Sequence, residues 1–181
     1  MRNHLPILVC GSGLVLASCT SFGTGSYFRT GVRTYSGEGE IRDTSQPALF
    51  FATRGYRIDL PELPLDRRYE HSYVLKGIPV INNTSAGIWF ELPEGPTSDS
   101  TEKAKASFHA SLVDGGGHLI TRFGGPLNSF IWSGSSLYQL EGSFFQPKPT
   151  EEYRLHVKFD PGNGIGEGRG RISIQCAIGG S

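Results

Sequence analysis

The sequence predicts an all-β protein built as a single antiparallel β-sandwich of jelly-roll or immunoglobulin-like type. Three observations carry that expectation. Apolar and polar residues alternate with period two in segment after segment beyond Pro47, the pattern of strands with one face on a core and the other in water. Gly- and Pro-rich breaks separate the segments, as turns between short strands require. No stretch sustains a helical period, so strands are not expected to alternate with helices in a parallel sheet.

In chain order, ALFFA (48–52) and GYRIDL (55–60) are weaker candidates, followed by YEHSYVLKG (69–77) and GIWFEL (87–92). ASFHASLVD sets Ala106, Phe108, Ala110 and Leu112 opposite Ser107, His109, Ser111 and Val113. HLITRF (118–123) and LNSFIW (127–132) are again weaker. YRLHVKF sets Tyr153, Leu155, Val157 and Phe159 against Arg154, His156 and Lys158, and RISIQCAI ends the series with Ile172, Ile174, Cys176 and Ile178 on one face. TSDSTEKAKA (97–106) and SSLYQLE (135–141) are expected to form no more than a helical turn or two. The domain is expected over 48–181.

Ahead of it lies a different kind of sequence. Arg2 is followed by a mostly apolar run from Leu5 to Leu16 and then by small residues at Ala17 and Ser18, the layout of an export signal. The run has about a dozen residues where a membrane-spanning helix needs roughly 20, and Pro6, Gly11 and Gly13 interrupt it. Leu16, Ala17, Ser18 and Cys19 resemble the lipobox of bacterial lipoproteins at all four positions. The resemblance implies removal of residues 1–18, a diacylglycerol on the Cys19 thiol and acylation of the new amine. Two or three chains on one cysteine would hold the protein on a bilayer, where a single myristoyl chain binds only reversibly. In lipoproteins of two-membrane bacteria an aspartate after the cysteine is the usual inner-membrane retention signal. Thr20 and Ser21 stand there instead, which favours an outer-membrane anchor facing the periplasm. Ordinary secretion with cleavage after Cys19 is the alternative.

Residues 19–47, rich in Gly, Ser and Thr, are expected to form a tether with a root-mean-square span of roughly 30 Å. Within it, YFRTGVRTY interleaves aromatics with Arg29 and Arg33, which reads as a first edge strand or as a patch for an anionic lipid or glycan. YRLHVKF and the Gly-rich loop before the last strand are similar to those of small β-sandwich envelope lipoproteins of Gram-negative bacteria. That likeness implies no functional residue other than Cys19.

Loss of residues 1–18 removes Arg2 and no acid, leaving 16 basic against 17 acidic side chains and a net charge of −1. A nucleic-acid partner, which demands a basic surface, is not expected. Of three cysteines, Cys10 leaves with the signal and Cys19 is lipidated, so Cys176 has no intramolecular partner. Its place on an apolar strand face reads as core filling rather than as a nucleophile.

Two motifs invite functional readings. IDLPELP (58–64) and FELPEGP (90–96) share one form; they read either as two strand ends terminated by proline or as a carboxylate cluster of Asp59, Glu62, Glu91 and Glu94 for a cation such as calcium. DPGNGIGEGRGR spaces its glycines at every second position from 162 to 170 and precedes a strand, whereas a dinucleotide loop opens a helix. It is expected to be a hairpin loop.

No G-x-S-x-G or H-E-x-x-H motif or paired metal-cysteine spacing occurs, so no catalytic residue, cofactor or metal is expected. His71, His109 and His156 fall in candidate strands and His118 in the turn after GGG. His109 and His156 lie on polar faces, placed to meet across strands as acid/base groups or metal ligands. The leading expectation is a lipid-anchored envelope protein, attached to membrane lipid through Cys19, whose non-catalytic sandwich binds a partner, in one version as a periplasmic immunity or inhibitor protein. The alternative is a glycan-binding or polysaccharide-processing module using Trp89, Trp132, Tyr138 and Tyr153, since aromatic rings offer apolar faces to sugars.

Overall fold

Alternation in YRLHVKF and ASFHASLVD places one apolar row on each of two neighbouring strands, and in the computed structural model those rows line the inside of a two-layer sandwich. The structure describes residues 34–45, 54–81, 84–92, 105–133, 136–139, 141–148, 150–162 and 168–178. The signal segment, Cys19, residues 20–33, ALFFA and Glu94 lie outside the described residues.

Among the described residues there are twelve strands: β1 (Glu40–Asp43), β2 (Arg54–Asp59), β3 (Leu63–Pro64), β4 (Tyr69–Lys76), β5 (Ala86–Glu91), β6 (Ser107–Asp114), β7 (Leu119–Pro126), β8 (Ile131–Ser133), β9 (Ser136–Tyr138), β10 (Phe144–Phe145), β11 (Glu152–Asp160) and β12 (Arg169–Ile178). The smaller sheet runs β4, β11, β6, β7; the larger runs β1, β2, β12, β5, β9, β8, with β10 paired to β5 and β3 to β12. All pairings are antiparallel. A 3-10 turn covers Leu127–Ser129.

The core lies between the sheets. Tyr153, Leu155, Val157 and Phe159 from β11 and Phe108, Ala110 and Leu112 from β6 meet Tyr56, Ile58, Ile88, Phe90, Ile172 and Ile174 from the larger sheet. Phe90 stacks on Phe108 across the layers, ring centroids 4.4 Å apart, a contact that contributes about 1 kcal/mol beyond its area. Cys176 pairs in register with Tyr56 and is 2% exposed.

Three expectations change. Residues 34–45, assigned to the tether, belong to the sandwich: Ser36 N–H donates to Lys76 O at 3.0 Å and Glu38 N–H to Val74 O at 2.8 Å, after which β1 pairs with β2. The segment thus caps the edge of β4 in one sheet and extends the other, satisfying backbone groups that an open edge would leave unpaired. SSLYQLE contains β9 rather than a helical turn, because pairing with β5 and β8 overrides the weak local preference. The glycine run does not close a hairpin. β11 has both sides taken by β4 and β6, so the chain crosses to the larger sheet before β12 begins.

Candidate functional site

The outer face of the smaller sheet follows directly from the polar half of the alternation. Cross-strand register sets Glu70, Lys158, His109 and Gly124 in one row, and Ser72, His156, Ser111 and Arg122 in the next. Residues in such rows have Cβ atoms about 5 Å apart, so Arg122, Lys158 and the two imidazoles converge around Ser111. A groove of about 590 Å³ lies over them, walled by Gln139, Glu141 and Gly142.

That wall is tied to the edge of β7. Gln139 accepts from Gly124 N–H at 3.2 Å and donates back to Gly124 O at 3.4 Å, acting as one rung of a missing strand. Thr121 Oγ1 donates to Gly142 O at 2.7 Å. Two glycines make the fit: a Cβ on Gly142, φ 87°, would lie 2.1 Å from Arg122 O, and one on Gly124 would lie 2.5 Å from His109 Nδ1. The His109 ring therefore occupies space that any other residue at 124 would fill.

His109 and His156 sit on adjacent strands as diagonal neighbours, His109 opposite Lys158 and His156 opposite Ser111. His156 Nδ1 instead contacts Ser72 Oγ at 2.5 Å, a hydroxyl–imidazole pair formed by residues 84 positions apart and illegible without strand register. Lys158 bonds Glu70 at 2.9 Å in an exposed pair, whereas Arg122 and Glu141 make no ion pair among the described residues.

The other two histidines lie elsewhere. His71 packs edge-on to Tyr73 at 4.6 Å and reaches Glu38 at 3.4 Å. His118 is an exposed turn residue whose backbone N–H donates to Asp114 Oδ1 at 2.8 Å. That bond, with those from the His118 side chain and Gly116 N–H, pulls the Asp114 pKa below the usual carboxylate range. Burial pushes the Cys176 thiol pKa up, away from the thiolate form a nucleophile requires.

On the outer face of the larger sheet the acidic motif acquires a structural explanation. β2 ends at Asp59 and β5 at Glu91, just before Leu60-Pro61 and Leu92-Pro93. The two acids flank β12, and Arg57 binds both, Asp59 at 2.6 Å and Glu91 at 2.5 Å. Burial alone would lower the Arg57 pKa, but the bonds to Glu91 and Asp59 outweigh it and the net shift is upward. Glu91 also accepts from Ser173 Oγ at 3.0 Å and Gln175 Nε2 at 3.2 Å, and Glu62 pairs with Arg171 at 3.0 Å. Three of the four carboxylates considered for a cation are thus engaged by arginines, and no group of three or more ligating side chains exists among the described residues.

Beside this network Trp89 lies 4.5 Å from Tyr138 and 6.3 Å from Phe144. Phe144 is 38% exposed, and the buried Trp89 Nε1 has no hydrogen-bond partner among the described residues. Two of the four aromatics expected to meet sugars are therefore together, joined by Phe144, which the sequence pattern does not single out. Tyr153 is a core residue instead, fully enclosed, its hydroxyl accepting from Lys148 N–H at 2.8 Å. The Trp132 side chain lies outside the described residues.

No protein-family model matches the chain, and no match is found among curated proteins.

Proposed function

We propose that this chain is a lipid-anchored protein of the bacterial cell envelope, held through acylated Cys19 on an outer membrane facing the periplasm, whose sandwich binds a partner and catalyses no reaction. The lipobox resemblance supports the anchor. One observation carries the binding role: an open groove of about 590 Å³, over β6 and its neighbours β7 and β11, lined by Arg122, Lys158, His109, His156, Ser111 and Gln139. Its volume is that of a ligand site. In this reading the partner is a protein or glycan of the envelope, and an immunity or inhibitor role is the specific protein version.

The Trp89, Tyr138 and Phe144 cluster favours the second reading, a glycan-binding module, because half-exposed rings beside hydrogen-bonding groups suit a sugar face. A photo-crosslinking residue at Ser111, compared with one at exposed Asp66 and one at Phe144 in intact cells, tests both readings. Adducts from Ser111 alone support the groove, and adducts from Phe144 alone move the partner to the larger sheet. Absence of adducts from either surface overturns the binding role.

A further inference from the structure

We infer that the groove over β6, β7 and β11 takes a ligand bearing an oxyanion, a carboxylate or a phosphate, received between Arg122 and Lys158 with His109 and Ser111 beneath it. The inference rests on the groove being the partner site and names the chemistry it recognises.

Register places Arg122 and Lys158 on opposite sides of β6, at the two ends of a diagonal that passes over Ser111 and His109. Arg122 is exposed and makes no ion pair or side-chain hydrogen bond among the described residues, so its planar fork of donors is open to a two-oxygen acceptor. The exposed pair between Lys158 and Glu70 holds weakly, and an incoming anion can draw the ammonium group to itself. Ser111 supplies a hydroxyl and each imidazole a ring N–H or a lone pair. Opposing charge near the groove comes from Glu141 on the wall and from Glu70 beyond Lys158. Glu141, also without an ion pair among the described residues, is placed to accept from a hydroxyl or amine elsewhere on the same ligand. An acidic sugar unit or a phosphorylated one has this combination of one oxyanion with neighbouring donors; a purely apolar or cationic ligand has none of it.

The test uses the full chain in detergent micelles and the ring-proton resonances of its histidines, titrated with inorganic phosphate, with galacturonic acid and with uncharged galactose. The expected result is that phosphate, galacturonate or both shift His109 and His156 while leaving His71 and His118 in place, and that galactose shifts none of them. Binding by only one of the two anions supports the inference and identifies the group. Arg122→Gln and Lys158→Gln should each weaken the anion roughly tenfold, and added salt should weaken it further; Arg169→Gln, at an exposed position on β12 of the other sheet, should not. Galactose binding as well as galacturonate, or anion binding indifferent to Arg122→Gln and Lys158→Gln, overturns the inference. If neither anion moves His109 or His156 while the Ser111 crosslink persists, the oxyanion inference falls and the groove remains a partner site. Loss of both results removes the groove as well.

Discussion

Arg57 and Glu91, 34 residues apart in the chain, meet at 2.5 Å on the outer face of the larger sheet. Through Arg57 the Glu91 carboxylate is coupled to Asp59, which is only 8% exposed. Replacing Arg57 by Ala leaves the shielded Glu91 carboxylate without a cation and Asp59 with only the longer contact to exposed Arg42, 3.5 Å away. The expected loss is about 3 kcal/mol, most of it the penalty of uncompensated charge. Adding Glu91→Gln to Arg57→Ala should recover part of it, read as the midpoint of a denaturant titration.

Gly142→Ala should detach the groove wall. The new Cβ meets Arg122 O at 2.1 Å and the backbone conformation, φ 87°, already disfavours a side chain. A stability loss of at least about 1 to 2 kcal/mol is expected, with anion affinity falling in parallel. Unchanged amide exchange at residues 121–124 in the variant would contradict the role given to this contact.

Alkali should unfold the protein earlier than its neutral surface charge suggests. Burial raises the pKa of Tyr56, Tyr73 and Cys176 above their ordinary values. Each is therefore neutral in the fold, and its contribution is intact below the unfolded-chain value, about 8.5 for the thiol and 10 for the phenols. Above those values the unfolded chain releases protons first and stability declines as pH rises. Stability measured from pH 7 to 11 should be level and then fall; a rise above pH 10 would refute this account. Native Cys176 should resist alkylation at pH 8, and Cys176→Ser should cost about 1 to 3 kcal/mol where its hydroxyl finds no partner.

A chain beginning at Pro47 should be less stable than one beginning at Thr34. The shorter chain lacks β1 and the contacts of Ser36 and Glu38, which exposes the edges of β4 and β2. Thermal melts and light scattering compare them: a lower midpoint and association are expected for the shorter chain, and identical behaviour would show residues 34–45 to be dispensable.

The proposed anchor predicts that Cys19→Ala abolishes incorporation of radioactive fatty acid and leaves the protein unprocessed or soluble. Labelling undiminished in that variant would remove the lipid from the proposal.

Strand identity in this protein is legible in the sequence wherever a strand has one wet face and one dry face. The alternation in residues 106–114 and 153–159 names the core rows directly, because a period of two leaves a residue only two directions. Short strands such as β3, β9 and β10 hold too few residues for a period and are made by their partners. Residues 34–45 carry no strong alternation, since each part covers an edge and reaches the core only with the partly buried side chains of Tyr35 and Ile41. The groove needed tertiary structure for a different reason. Which polar residue lies beside which depends on register between strands up to 84 positions apart, as Ser72 and His156 are, and one residue of slip would reverse every face. Local sequence determined which side chains point outward; only the packing of the two sheets, which locks that register, decided that Arg122, His109, Ser111 and Lys158 share one surface.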